Sequence, residues 1–313
     1  MNRDQLLQIV EPLLHCPTAP TFEGAVADEI CRQLRGRAGT QVEKDQFGNI
    51  IAVRSGSVPA RYTFVAHMDH PGWRLQPKKE FLGGISSDLR DPGKIRSFGE
   101  VGMWDLPELV LQGDRLYSRA CDDLIGCSAI VGIFNSLEES RSSASVLGVF
   151  TRAEEVGFIG AIELARARQL DPELTVFSLE TSAERAPARM GAGPIIRVGD
   201  RTSIFDSDVT AFLVETAKSK DLSHQRCLMD GGTCEATAFQ LYGYRSAALS
   251  IALGNYHNTT PDSRIDAEYV DLKDLAGLID LCVAIVTETR IAADTRDALR
   301  RRLEARLKDF PLD

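Results

Sequence analysis

The stretch ASVLGVFTRAEEVGFIGA, residues 144–161, decides the fold, because an apolar run is followed by a polar turn and then by a helix-like segment. The apolar run predicts a buried strand, and Glu154 and Glu155 lie directly after it. Neighbouring side chains in a strand or turn point in different directions, so the two glutamates cannot share one task by symmetry. A solvated turn before a helix N-terminus would explain the pair taken alone, whereas a cation between them would offset their repulsion.

The composition is that of an ordinary globular protein. The chain has 313 residues, of which 43% are hydrophobic, and this is enough for a large core. A net charge of −9 without a Lys/Arg-rich block argues against nucleic acid and membranes as partners. Seven scattered cysteines without a CxxC pair indicate reduced thiols and a cytoplasmic location. Neither an export signal nor an apolar segment long enough to span a membrane is visible in the sequence.

Strand-like and helix-like segments alternate along most of the chain. The strand-like runs are NIIAV, RYTFVAH, ASVLGVFT, LTVFSLE and RSAALSIAL. The helix-like segments cover residues 4–15, 22–34, 124–137, 157–169, 206–218, 232–241 and 272–289, and the charged segment DTRDALRRRLEARLKD predicts an amphipathic surface helix. This alternation predicts an α/β sandwich with a largely parallel central sheet covered on both faces.

Residues 73–117 break the alternation, because they are rich in Gly, Pro, Asp and charged residues. We expect them to form a small β-rich inserted lobe over the sheet, so that the main domain comprises residues 1–72 plus 118–313. The alternative is a partly mobile lid, since a segment of this length is near the lower limit for an independent core.

Acidic and imidazole side chains follow the ends of several predicted strands. The carboxyl ends of strands in an open α/β sheet converge on one crevice, so separate segments can place such side chains together. The residues concerned are His67, Asp69, Asp122, Asp123, Glu154, Glu155, Glu180 and His257.

Each of these residues has a simpler explanation when taken alone. His67 could be a core histidine, His257 a solvent-facing one, Asp122 a helix cap and Glu180 a turn residue. Their occurrence together instead predicts a pair of divalent cations, bound by nitrogen and oxygen ligands that suit zinc, cobalt or manganese.

Seven motifs give the chain a resemblance over nearly its whole length. The chain resembles the tetrahedral aminopeptidase family of co-catalytic di-metal peptidases, which has glutamyl-aminopeptidase and endoglucanase-like members. The motifs, in the order in which the family has them, are QFGNIIA, AHMDHPGW, ACDDLIGC, TRAEEVGFIGA, MGAGPIIRVGD, GGTCEATAF and NYHNTTPDSRID. The resemblance implies a zinc-peptidase-like three-layer sandwich with a mostly parallel central sheet.

The resemblance also implies a ligand set for two divalent metal ions, zinc first. Asp122 would bridge both ions, and the peptide that follows it is cis in many relatives. His67 and Glu180 would be terminal ligands of one ion, and Glu155 and His257 of the other.

The remaining roles concern proton transfer in the hydrolysis of an amide. Glu154 would be the general base, and Asp69 would orient the imidazole of His67 and support Glu154. Cys121 and Cys127 flank the aspartate pair, so a thiol nucleophile is the alternative that these residues leave open.

Several departures from the family pattern bear on the substrate. Leu124 stands where relatives have arginine, and GGTCEATAF replaces their GGTDA. Glu180 in place of the usual aspartate is commoner in carboxypeptidases and deacylases, but the segment between Glu180 and His257 is too short for their dimerisation domain. We expect an aminopeptidase that acts on small peptides, with a carboxypeptidase or N-acyl amino acid deacylase, acting on N-substituted amino acids, as the alternative. A non-catalytic binding protein is the second alternative. The resemblance also implies a shortened lobe, because the inserted lobe of the tetrahedral aminopeptidases is larger and helps to build a twelve-subunit cage. We therefore expect a homo-oligomer smaller than a dodecamer.

Overall fold

A computed structural model describes residues 1–84 and 95–309 of the chain. The helices are α1 (Arg3–His15), α2 (Gly24–Leu34), α3 (Leu124–Glu139), α4 (Ile159–Arg166), α5 (Ser207–Ser219), α6 (Glu235–Leu241), α7 (Leu272–Thr287) and α8 (Ala292–Glu304). The strands are β1 (Thr40–Lys44), β2 (Ile50–Arg54), β3 (Tyr62–His67), β4 (Gly72–Arg74), β5 (Glu80–Leu82), β6 (Ile95–Phe98), β7 (Val101–Trp104), β8 (Val110–Gln112), β9 (Arg115–Ser118), β10 (Val146–Thr151), β11 (Thr175–Ala183), β12 (Ile195–Gly199), β13 (Gln225–Leu228), β14 (Arg245–Leu253) and β15 (Glu268–Asp271).

The largest sheet has eight strands in the order β1-β2-β10-β3-β11-β14-β12-β13. Its middle strands β10, β3, β11 and β14 are mutually parallel. Strand β2 pairs antiparallel with β10 on one side, and β12 pairs antiparallel with β14 on the other. The prediction of a mostly parallel α/β sheet is therefore confirmed at the centre of the fold.

Helices cover both faces of this sheet and give three layers. Side chains alternate along β3, so that Phe64 joins a core cluster with α1, α2, α3, α5 and α7, while Val65 joins a second cluster with α4 and α6. Because both faces are buried, the central strands are apolar along nearly their whole length rather than alternating.

The predictions from the sequence place some helix and strand ends wrongly and miss some strands. Strand β11 continues past Glu180 to Ala183, so Glu180 lies within the strand rather than at its end. Helix α4 begins only at Ile159, because Phe158 has a left-handed backbone with φ 58°. The predicted C-terminal helix begins at Ala292, and a 3₁₀ turn follows it. Strands β1, β12, β13 and β15 are short, and β1 and β13 are too polar to read as buried strands.

The described residues between 72 and 118 form six strands. Strands β4, β5, β6 and β7 form a four-stranded sheet, whereas β8 and β9 pair with β15 from the C-terminal part of the chain. Residues 85–94 of the predicted lobe lie outside the described part, and the lobe boundaries stay a prediction. Among the residues that the structure describes, no helix is long and apolar enough to cross a membrane.

Candidate metal centre

Five of the residues singled out in the sequence line one cavity of about 230 Å³. They are His67, Asp122, Glu154, Glu155 and Glu180. His257 adjoins them, because its Nε2 lies 3.2 Å from Oε1 of Glu155. Strands β3, β10 and β11 therefore bring their side chains to one crevice, as expected of an open α/β sheet.

The carboxylate of Asp122 lies between the two imidazoles. Its Oδ1 is 3.5 Å from Nε2 of His67, and its Oδ2 is 3.5 Å from Nε2 of His257. Asp122 does not follow a strand of the central sheet, because it comes after β9 of the small sheet and just before α3. Its peptide bond to Asp123 is cis.

Within residues 1–84 and 95–309, three groups of side chains have ligand atoms close enough to hold a metal ion. Within each group the atoms lie within 4.8 Å of one another, and the groups are His67 with Glu154 and Glu155, Asp122 with Glu155 and His257, and His67 with Asp123 and Glu180. Asp123 belongs to the third group, and its Oδ1 also accepts a hydrogen bond from the Gly126 amide at the start of α3, at 3.1 Å.

The donor atoms of this centre suit divalent cations. Oδ1 of Asp122, Oε1 of Glu155 and Nε2 of His257 are buried and make no well-aligned hydrogen bond within the described ranges, although the last two atoms lie 3.2 Å apart. Unpaired buried polar atoms are costly, and here they converge on one cavity. Carboxylate oxygens and imidazole nitrogens are the ligands that zinc and related ions take, so the residues fit such ions.

Asp69 holds the backbone of the two adjacent glutamates. Its Oδ1 accepts a hydrogen bond from the Glu154 amide at 3.0 Å, and its Oδ2 accepts one from the Glu155 amide at 3.1 Å. Nδ1 of His67 lies 3.0 Å from the backbone oxygen of Asp69 and 3.5 Å from its carboxylate. Asp69 thus contacts both the imidazole of His67 and the turn that carries the two glutamates. Its carboxylate lies closer to the amides of the turn than to the imidazole.

A second buried acid, Glu23, holds the same turn and was missed in the sequence. Its Oε1 accepts hydrogen bonds from the amides of Thr21 at 2.7 Å and Ala153 at 3.0 Å, and its Oε2 pairs with Arg152 at 2.6 Å. Ala153 has a left-handed backbone with φ 55°, an unfavourable conformation for alanine that these contacts help to maintain. Three consecutive amides of the turn are therefore held by two buried carboxylates.

Glu268 on β15, which the sequence analysis also missed, holds the backbone of Asp122 and His257 in the same way. Its Oε2 accepts hydrogen bonds from the amides of Cys121 at 2.7 Å and Asp122 at 3.0 Å, and its Oε1 accepts one from the His257 amide at 2.8 Å. Burial raises the pKa of Glu268 to about 7. His70 adds a contact, with Nδ1 2.5 Å from the carbonyl oxygen of Asp122.

The electrostatics of the cavity are dominated by crowded carboxylates. Burial raises the pKa of Glu154 well above its ordinary value, and Glu155 and Glu180 add to that rise. Burial disfavours the charged form of both imidazoles, but the neighbouring carboxylates outweigh it and raise the pKa of His67 and of His257. A carboxylate with a raised pKa in a cleft is suited to accept and return a proton near neutral pH.

The two cysteines beside the aspartate pair are poorly placed to be nucleophiles. Cys121 and Cys127 are fully buried, and Cys127 donates its thiol hydrogen to the backbone oxygen of His67 at 3.2 Å. Burial raises the pKa of both thiols well above the ordinary value, so both stay protonated. The geometry therefore disfavours the thiol alternative.

The sequence profile of the M42 glutamyl aminopeptidases matches residues 93–281 of the 313. The chain belongs to this family. A protein of Acetivibrio thermocellus, provisionally named an aminopeptidase, is 27% identical over 248 residues, which are 77% of this chain and 72% of that protein. Family membership and this relative show that the chain is a metal-dependent peptidase with aminopeptidase activity, rather than a binding protein without catalysis.

Solved structures of aminopeptidases share the fold over almost their full length. An aminopeptidase of Desulfurococcus kamchatkensis superposes with a TM-score of 0.77 at 21% identity, covering 94% of this chain and 98% of that chain. The TET1 peptidase of Pyrococcus horikoshii, described as assembling into a tetrahedron or a large octahedral shell, gives a TM-score of 0.75 at 21% identity and covers 90% of this chain and 99% of its own.

Proposed function

We propose that the cavity beside Asp122 is the active centre of this aminopeptidase and that it binds two divalent metal ions. The observation that carries the proposal is the Asp122 carboxylate, with one oxygen 3.5 Å from each imidazole. His67 and Glu180 would complete one site, and Glu155 and His257 the other. Ions held there would supply Lewis acidity to the scissile carbonyl and to the attacking water.

Glu154 is the general base of the proposed reaction. Its Oε2 is 3.9 Å from Nε2 of His67, so it faces the side of the cavity where His67 lies. Its raised pKa lets it take a proton from water and return it to the leaving amine. Asp69 accepts a hydrogen bond from the Glu154 amide and so fixes the backbone from which this side chain reaches into the cavity.

Zinc is the metal that we propose first, with cobalt or manganese as alternatives. Nitrogen and oxygen donors without a thiolate are compatible with all three. A cytoplasmic location is supported by the seven free cysteines, which suit a reducing compartment.

Replacing Asp122 by Asn tests the metal assignment. In the variant an NH₂ group replaces one carboxylate oxygen and the negative charge is lost. We therefore expect it to retain less than one equivalent of zinc after dialysis, whereas wild type retains up to two. Metal analysis of both purified proteins measures this. Two equivalents in the variant would contradict the bridging role.

The substrate of the proposed site is a small peptide with a free amino terminus. A panel of amino-acid p-nitroanilides set against N-acylated amino acids separates this activity from the deacylase alternative. We expect hydrolysis of the p-nitroanilides and little of the N-acyl compounds. The opposite order would assign the site to a deacylase or carboxypeptidase.

The assembly that we propose is a homo-oligomer smaller than a dodecamer. The TET1 peptidase, which shares the fold, is described as assembling into a tetrahedron or a large octahedral shell. The proposal of a smaller assembly rests on the shortened lobe that the resemblance to the tetrahedral aminopeptidases implies. Light scattering of the purified protein measures the mass, and a twelve-subunit mass would contradict the proposal.

A further inference from the structure

Arg197 is a buried arginine on β12 whose guanidinium has no acceptor in the described part of the chain. Only 4% of its surface is exposed, and it lines the cavity together with Glu180 and Tyr256. Its Nε is buried and unpaired, and among residues 1–84 and 95–309 no ion pair or side-chain hydrogen bond involves it. A buried charge without a partner is costly, so such a group indicates a ligand.

Two other enclosed arginines, Arg54 and Arg119, also have an unpaired Nε, but their terminal guanidinium nitrogens bond to the protein. Arg119 pairs with Glu108 at 3.1 Å and donates a hydrogen bond to the backbone oxygen of His15 at 3.1 Å. Arg54 donates hydrogen bonds to the carbonyl oxygens of Ala144, Leu137 and Ser142. Arg197 therefore differs from these structural arginines in facing a cavity without bonding to protein.

The acids nearest to Arg197 are occupied elsewhere. Oε1 of Glu180 accepts a hydrogen bond from the Ser178 hydroxyl at 2.7 Å. Oδ1 of Asp200 accepts hydrogen bonds from the amides of Thr202 at 2.7 Å and Ser203 at 2.8 Å. Both carboxylates attract the guanidinium electrostatically and help to raise its pKa, although burial opposes the charge.

The two ions proposed above would balance the charge of the carboxylates that line the cavity. Four carboxylates line it, those of Asp122, Glu154, Glu155 and Glu180, and two divalent cations carry the equal and opposite charge. Two arginines also line it, and one of these, Arg185, is half-exposed and pairs with Asp230 at 3.0 Å. Arg197 is then left with the electrostatic attraction of Asp200, and no side-chain hydrogen bond joins the two among the described residues.

We propose that Arg197 is a substrate-recognition residue that binds a carboxylate of the peptide. The guanidinium fork matches a carboxylate in two parallel hydrogen bonds, which a lysine or an amide cannot reproduce. Two sources offer this group, the side chain of an acidic amino-terminal residue and the main-chain carboxylate of a dipeptide. The inference rests on the proposal that this cavity is the active centre.

The test compares matched substrates that differ only in one charge. Glutamyl and glutaminyl p-nitroanilide distinguish a side-chain carboxylate, and leucyl-alanine and its carboxamide distinguish a main-chain one. We expect wild type to prefer one acid over its amide, and Arg197→Met to lose about 10- to 100-fold in kcat/KM on that acid alone, the loss of a charge-assisted contact. Arg185→Met, which removes a paired arginine from the same cavity, should keep the preference.

Binding and metal content give readouts independent of catalysis. Calorimetry with free glutamate and glutamine, and with leucyl-alanine and its amide on the Glu154→Gln variant, measures the preference without turnover. Equal losses on acid and amide together with lost metal would mean that Arg197 serves Glu180 instead, and the inference would be overturned. No preference in wild type would overturn it as well. If wild type cleaves no amino-terminal substrate but still binds the acid more tightly than its amide, the proposed function is wrong. Arg197 then remains a carboxylate-binding residue.

Discussion

Replacing Asp69 by Asn should weaken the hydrogen bonds that hold the backbone of Glu154 and Glu155, while the side chain at position 69 keeps almost the same shape. The carboxylate accepts the amides of Glu154 and Glu155 with one oxygen each, at 3.0 and 3.1 Å. Asparagine keeps one oxygen, so one amide must face an NH₂ group. A hydrogen bond to a charged group contributes about 1.5–3 kcal/mol, which corresponds to roughly 10- to 100-fold in an equilibrium constant.

Zinc titration of metal-free protein by calorimetry, together with kcat at saturating zinc, measures the effect of Asp69→Asn. We expect the affinity of the weaker site to fall by about 10- to 100-fold, the usual range for a residue that orients metal ligands. Excess zinc should not restore kcat fully, because Glu154 is displaced as well.

Asp274→Asn is the matched control. Asp274 is equally buried, and its two oxygens accept the amides of Gly191 and Gly193 at 2.7 Å, but it does not line the cavity. It should lose stability and keep wild-type zinc affinity. Wild-type affinity and kcat in Asp69→Asn, or an equal loss of affinity in both variants, would refute the reasoning.

Four other substitutions have distinct expected outcomes. Glu154→Gln should still bind two metal ions but lose activity by about 10²- to 10⁴-fold. Glu155→Gln should bind one ion more weakly, and its activity should recover in excess metal. Identical behaviour of the two variants in a metal titration would contradict these roles. Glu268→Gln leaves one of three backbone amides without its acceptor, so the melting temperature of metal-free protein should fall; an unchanged value would contradict this. Burial raises the pKa of Glu235 from 4.5 to about 8. Between these two pH values the folded metal-free protein holds a proton that the unfolded chain releases. The folded protein therefore loses stability as the pH rises from 4.5 to about 8. Denaturation of Glu235→Gln should therefore show a gain in stability over wild type that grows by about 1.4 kcal/mol per pH unit between pH 5 and 8. A gain that does not change with pH would contradict the shift.

The central part of the fold could be predicted because its strands are buried on both faces. Strands β3, β10, β11 and β14 are continuous apolar runs, and helical periodicity separates them. Edge strands such as β1 and β13 carry charges because one side faces solvent, so no apolar pattern reveals them. The order β10-β3-β11-β14 depends on long-range pairing and cannot be deduced from periodicity.

The candidate ligands could be found from sequence, whereas the residues that position them could not. His67 and Glu155 belong to specific motifs next to strands. Glu23 and Glu268 instead contact backbone amides from distant segments, and a backbone amide leaves no mark in the sequence. Glu23 precedes a helix and Glu268 begins a short strand, so both look like ordinary solvent-facing acids. Arg197 offers the one usable signal, because it is a single charge inside the apolar run IIRVG.

The two adjacent glutamates show how neighbours in sequence take opposite positions in the site. Their amides are held by the two oxygens of one carboxylate, and the left-handed backbone of Ala153 sets the direction of the turn. Glu154 then comes within 3.9 Å of His67, while Glu155 comes within 3.2 Å of His257, on the other side of Asp122. Because one buried aspartate sets both positions, any shift of Asp69 must move the proposed base and the proposed ligand together. This is why a substitution that touches neither glutamate is expected to impair proton transfer and metal binding at once.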